Sequence, residues 1–178
     1  MPLIHRAIYF AVQAHDGQKR KGTDIPYIAH PFEVAQLLME VGAEDEVVAA
    51  GLLHDTVEDT AVTAADIQKQ FGVRVAELVM LCSEEKGLSW EDRKNQMLAR
   101  VQRAPREVML IICADKLSNI RSIADEYVDE DFWKRFHRGK AEQAWYYRKM
   151  LEALSPLAKM PMYQELKEGI SSVFGRIP

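Results

Sequence analysis

Two histidines and several carboxylates of this chain stand among apolar neighbours. His30 follows PYIA, His54 and Asp55 open the segment HDTVEDT, and Asp115 is embedded in LIICADKLSNI. A lone carboxylate taken out of water is costly unless it is paired or binds a metal. A divalent ion held by His30, His54, Asp55 and Asp115 would satisfy the set together. Two imidazoles and two carboxylates form a mixed nitrogen and oxygen donor set, which suits Mn, Fe, Zn or Co and suits Ca poorly. The two cysteines, Cys82 and Cys113, lie apart in apolar runs, so paired zinc-finger thiolates are excluded. Singly, each element is weak. A His-Asp dipeptide is common, Asp115 alone reads as a buried cap or salt-bridge residue, and His5, His15 and His137 read as structural. Their ordered combination points to a metal centre. A basic cluster, Lys19, Arg20 and Lys21, lies in the polar loop before His30.

The apolar spacing that must position these groups is helical almost throughout. Ile4, Ala7, Ile8 and Ala11 recur at i, i+3, i+4 and i+7, predicting a first helix that fades near Gly17. Pro31 suits the first turn of a second helix, with Phe32, Ala35, Leu38 and Met39 on its face and Gly42 closing it. Residues 44 to about 57 read as one helix, apolar all round its middle and therefore buried. On such a helix His54 with Glu58, and Asp55 with Asp59, are four apart, so each pair shares a face. Thr63 and Asp66 resemble a capping arrangement for a short helix ending at Gly72. A helix over 73–83 follows, and Ser89 caps a charged amphipathic helix that stops before Pro105. Residues 107–126 form a second buried helix, with Val108, Ile112, Asp115 and Asn119 on one stripe. A long aromatic-rich helix is expected over 131–154, and a last one over 163–174 beyond Pro156 and Pro161. No segment reads as a strand. The expectation is an all-α single domain over 1–178 with eight or nine helices, its core running to about 155 and 156–178 forming a helical extension.

The composition agrees. The chain has 178 residues, 48% of them hydrophobic, which excludes low-complexity disorder. Its 23 basic against 27 acidic residues leave a net charge of −4 and a pI near 5.8, which argues against a general nucleic-acid binder. Attraction for a polyanionic ligand must then be local. The longest apolar stretch, residues 47–53, is far short of the roughly 20 residues of a membrane span. The N-terminus lacks a secretory apolar region, and the two cysteines suit a reducing compartment, so a cytoplasmic location is expected.

The segments RKGTDIPYIAHP, LLHDTVEDT, SWEDRKNQM and ADKLSNIRSI, in this order, resemble the HD-domain metal-dependent phosphohydrolases. They are most similar to the hydrolase domain of RelA/SpoT-homologue proteins and the stand-alone small alarmone hydrolases. The resemblance implies an all-α fold that binds Mn²⁺ and hydrolyses guanosine 3′,5′-polyphosphates between the 3′-oxygen and the pyrophosphate. It implies His30, His54, Asp55 and Asp115 as metal ligands, and Glu58 and Asp59 as the acidic pair that orients or deprotonates the attacking water. Arg20 and Lys21 match a pair near the nucleotide, with the arginine beside the guanine, and Asn119 matches a contact to the sugar-phosphate. Tyr146 and Arg148 fall on a segment, WYYRK, similar to a pocket-closing C-terminal helix. Lys140 and Arg148 would offset phosphate charge.

Relative to the long bifunctional forms, the loop from Arg20 to His30 is one residue longer. A length of 178 leaves no room for a synthetase domain, so a hydrolase alone is expected. The implied partner is a small nucleotide, with neither nucleic acid nor membrane. Rival expectations are an HD-domain hydrolase of another nucleotide, such as a deoxynucleotide or NADPH, a non-catalytic nucleotide sensor, and a purely structural helical domain.

Overall fold

The computed structural model describes residues 1–127, 130–136 and 138–175; His137 lies outside them. Among the described residues the chain is all-α, and the sole extended pairing is an isolated bridge between Lys19 and Pro26. The helices are α1 (Leu3–Ala14), α2 (Ala29–Glu40), α3 (Asp45–Leu53), α4 (Thr56–Asp59), α5 (Ala64–Phe71), α6 (Val73–Cys82), α7 (Trp90–Val101), α8 (Arg106–Glu126), α9 (Lys140–Ala153) and α10 (Pro161–Phe174). Short 3₁₀ segments cover Glu130–Arg135 and Ser155–Leu157.

Two helices organise the rest. Every residue of α3 from Val47 to Leu53 is buried, and α3 packs on α1, α2, α6 and α8. The 21-residue α8, about 30 Å long at 1.5 Å per residue, also receives α2, α6 and α10. Gly51 on α3 faces Leu38 and Val34 of α2. A Cβ there would collide with Leu38 of α2, so only glycine lets the two helices lie this near. The crossing brings the first turn of α2 to the end of α3. On the other side Gly169 of α10 rests on Ile120 of α8, and Leu166 and Ile170 of α10 are fully buried in the same core.

Several boundaries follow from local chemistry. Thr63 and Asp66 form a reciprocal capping box on α5, and Ser89 accepts from the Asp92 amide at the start of α7. Two expected helices divide. The one over 44–57 stops after Leu53, because side chains take the carbonyls a continuing helix would use. His54 Nδ1 lies 2.7 Å from the Gly51 carbonyl, and the Thr56 hydroxyl donates to the Leu53 carbonyl at 2.7 Å. The helix expected over 131–154 is also two elements. Phe132, Trp133 and Phe136 stack on one another and on Tyr127 and Phe174, and Gly139 is extended ahead of α9.

Candidate functional site

The turn after α3 turns His54 and Asp55 inward, α2 contributes His30 in its first turn, and α8 contributes Asp115 from its middle. The two imidazoles are 3–4% exposed, and their ring centres are 5.2 Å apart. His30, His54 and Asp115 each offer a donor atom within 4.8 Å of the others. Asp55 Oδ2 lies 3.5 Å from His30 Nε2 and 2.9 Å from His54 Nε2, while Asp115 Oδ1 lies 3.3 and 3.9 Å from them.

The donor set fits a divalent cation on two observations. First, a carbonyl can only accept, so the contact to Gly51 places the proton of a neutral His54 on Nδ1 and leaves its Nε2 lone pair facing the carboxylates. Second, that buried Nε2 has no hydrogen-bond partner despite its 2.9 Å approach to Asp55. Without a cation the centre draws in a proton instead. Burial pushes the His54 imidazole down, but Asp55 and then Asp115 outweigh it and lift it to about 9. Burial likewise raises Asp55 and Asp115, and the histidines, with Lys116 beside Asp115, hold both well below the usual carboxylate range. Tyr27 donates to Asp55 Oδ2 at 2.5 Å, and Asn119 donates to Asp115 Oδ1.

His54, Asp55, Asp115, Tyr27 and Asn119 border a cavity of about 210 Å³ whose wall also carries Glu58 and Asp59. Burial raises the Glu58 carboxyl above its ordinary value, against the pull of the Glu84 amide it accepts from at 3.1 Å. Burial, with Asp55 nearby, raises Asp59. Gln18, itself 2.7 Å from His15 Nδ1, donates to the Asp59 carbonyl at 3.0 Å. The buried ring of His15 stacks on Tyr27 at 4.8 Å.

A second cavity of about 290 Å³ adjoins the first. Tyr27, Lys94, Lys116, Asn119 and Tyr146 line both. Its lining is cationic and aromatic: Arg20, Lys21 and Arg135, with Trp90, Phe136 and Tyr147. Arg20 donates to Asn119 Oδ1 at 3.1 Å, so Asn119 ties this arginine to the metal-ligand candidate Asp115. Lys116 lies 2.7 Å from Asp115 Oδ2. Burial pulls the amine down, Asp115 outweighs it, and the ammonium stays charged. Burial and the neighbouring Lys116 depress Lys94, whose ammonium is paired with Glu84 and stands 4.8 Å over the Tyr146 ring. The Tyr146 hydroxyl is buried without a partner at the junction of the two cavities.

The fold therefore gathers His54, Asp55, Asp115, Glu58, Asp59, Arg20, Lys21, Asn119 and Tyr146 around one pair of cavities, while His30 joins His54 and Asp115 from behind and lines neither. It does not bring Lys140 or Arg148 there. Lys140 Nζ stands 3.2 Å from the Tyr127 hydroxyl, and Arg148 donates to the Phe174 carbonyl at the end of α10. Lys19 turns to solvent and pairs with Asp24. Sequence reasoning missed Lys94, Lys116, Arg135 and Tyr27. The signals were faint: Lys116 follows Asp115, and Tyr27 sits three residues before His30.

A model of the HD domain matches residues 7–136. Guanosine-3′,5′-bis(diphosphate) 3′-pyrophosphohydrolase MESH1 of Danio rerio is 36% identical over 124 residues, 68% of this chain and 69% of that protein. A guanosine-3′,5′-bis(diphosphate) 3′-pyrophosphohydrolase of Aquifex aeolicus strain VF5 is 38% identical over 123 residues, 67% of this chain. The matched region is only 18% of that longer relative. Among solved structures, a metazoan ortholog of SpoT that hydrolyses ppGpp superposes with a TM-score of 0.78 at 25% identity, over 98% of this chain and 94% of the other. No helix among the described residues is long and apolar enough to cross a membrane.

Proposed function

The chain belongs to the HD-domain family, and on that premise we propose that it hydrolyses guanosine 3′,5′-bis(diphosphate), or its 5′-triphosphate form, releasing pyrophosphate and GDP or GTP. The observation that carries this assignment is the junction of the two cavities. A pocket of metal-ligand candidates and carboxylates opens onto a cationic, aromatic one through shared walls. Together they match the size of an ordinary small-molecule site. A nucleotide with phosphates on both sides of its ribose needs both halves, and the names of the zebrafish and Aquifex relatives support that substrate.

His30, His54, Asp55 and Asp115 would hold one Mn²⁺, whose chemistry there is to polarise a phosphoryl oxygen and acidify water. One of Glu58 and Asp59, whose raised affinity for protons suits a base, takes a proton from the attacking water. The water oxygen bonds to the phosphorus carried by the 3′-oxygen, the bond from that phosphorus to the 3′-oxygen breaks, and the leaving 3′-oxygen takes up the proton given by the water to become a hydroxyl. Lys116, Lys94 and Lys21 offset phosphate charge. Arg20, held by Asn119, presents its guanidinium plane toward the base, and the unpartnered Tyr146 hydroxyl bonds the sugar-phosphate. The overall charge of −4 is no obstacle, because these cations are concentrated where the ligand sits.

A substrate panel with Mn²⁺ tests the assignment. Guanosine 3′,5′-bis(diphosphate) should be turned over fastest, with pyrophosphate as product. Faster orthophosphate release from NADPH, or turnover of a deoxynucleotide in its place, would overturn it.

A further inference from the structure

We propose that Glu33 and Ser118 are positioning residues that fix the tautomer and aim of His30 at the metal centre; this rests on the ligand role assigned to His30 above. Ser118, on α8 and fully buried, stands between the two other groups. Its hydroxyl donates to Glu33 Oε2 at 2.7 Å, and its oxygen lies 2.8 Å from His30 Nδ1. A serine has one proton to give. Here it goes to a carboxylate, so the oxygen can only accept from the imidazole. The proton of a neutral His30 is thereby assigned to Nδ1, and the lone pair of Nε2 is turned toward Asp55 and Asp115. His54 reaches the same state through the Gly51 carbonyl, so both imidazoles present Nε2 to one point, each by a different device.

The relay depends on Glu33 remaining ionised, since a protonated carboxyl could donate back to the serine. Burial raises Glu33, but hydrogen bonds from Arg121 and Ser118 outweigh it and hold the group below its ordinary range. Arg121 donates to the other oxygen, Oε1, at 2.8 Å, which leaves Oε2 free for Ser118. Arg121 in turn donates to Glu165 on α10. A chain of charge-assisted bonds thus runs from α10 through α8 and α2 to the imidazole. Groups that orient metal-binding histidines in this way typically change metal affinity by ten- to hundredfold when removed.

The test uses the metal-free full chain. Calorimetric titration with Mn²⁺ should show Ser118→Ala and Glu33→Ala binding about ten- to hundredfold more weakly than wild type. Glu33→Gln, whose neutral amide can donate to the serine as well as accept from it, should fall between wild type and Glu33→Ala. Proton–nitrogen spectra of the imidazoles should place the His30 proton on Nδ1 in the wild type and redistribute it between both nitrogens in Ser118→Ala. A residue that only supported the fold would leave that signature unmoved. Far-ultraviolet circular dichroism verifies helicity, and if Ser118→Ala does not fold, the partly exposed Glu33→Ala carries the same expectation. Wild-type Mn²⁺ affinity in the folded variants, with His30→Ala losing the metal, would overturn the relay and leave the metal centre standing. Wild-type affinity in His30→Ala would overturn the ligand assignment, and the relay with it.

Discussion

The two adjoining cavities are built by opposite means. The acidic one is assembled from the most buried parts of the chain. Its candidate ligands come from the start of α2, the end of α3 and the middle of α8, and each is fixed by a named bond: His30 to Ser118, His54 to Gly51, Asp55 to Tyr27, Asp115 to Asn119. The cationic one joins the same core helix, α8, which supplies Lys116, Asn119, Ser122, Ile123 and Glu126, to elements at the periphery. The loop holding Arg20 and Lys21, the 3₁₀ segment holding Arg135, and α7 and α9 each supply one to three groups. Packing at α3 is dense enough that Gly51 admits no side chain, whereas Arg135 is held by Glu126 and by the Phe132 face, 3.7 Å below its guanidinium. The difference teaches a division of labour. On the proposed function, geometry around the reacting phosphorus tolerates little error, and its groups sit on the core. Recognition of a charged nucleotide sums several contacts, so it is spread over the rim.

Variants should separate the halves. Asp55→Ala removes a carboxylate from the centre of the acidic cavity, and Mn²⁺ binding and turnover should vanish together, as measured by calorimetry and product release. Glu58→Gln should keep the metal while kcat falls by about 10² to 10⁴, the usual worth of a general base. If it lost the metal too, Glu58 would be counted with the ligands. Arg20→Ala, on the rim, should raise KM about tenfold with kcat little changed, the mark of a binding contact. A fall in kcat of the same size would erase the proposed division.

The smallest effects are on stability, at Glu33 and Glu165. Because Glu33 is held below its ordinary value of 4.5, its ionisation stabilises the fold above that pH, and the gain is lost as pH falls through the lower native value. The melting temperature of wild type over Glu33→Gln should therefore be highest at neutral pH and shrink toward acid. Glu165→Ala breaks a half-exposed pair and should cost less than about 1 kcal/mol, with metal affinity unchanged.

The acidic half was legible in the sequence because its residues violate the local pattern. A histidine and a carboxylate at the end of an apolar run, and an aspartate within LIICADKL, stand out against their neighbours. The cationic half violates nothing. Lys94, Lys116 and Arg135 look like ordinary helix-surface cations, and only the packing of α7, α8 and the 3₁₀ segment turns them toward one cavity. Lys140 and Arg148, expected to offset phosphate charge, line neither cavity and bond Tyr127 and the end of α10. Helix existence followed from periodicity, capping and glycine punctuation. The break at His54 did not, since the apolar count runs on through it and the interruption comes from side-chain bonds to Gly51 and Leu53.

One measurement bears most directly on the central claim: the products formed from guanosine 3′,5′-bis(diphosphate) by the metal-stripped chain before and after Mn²⁺ is restored. The account predicts no turnover without the ion, and stoichiometric pyrophosphate and GDP with it. Orthophosphate as the first product, or equal turnover in both states, would contradict it.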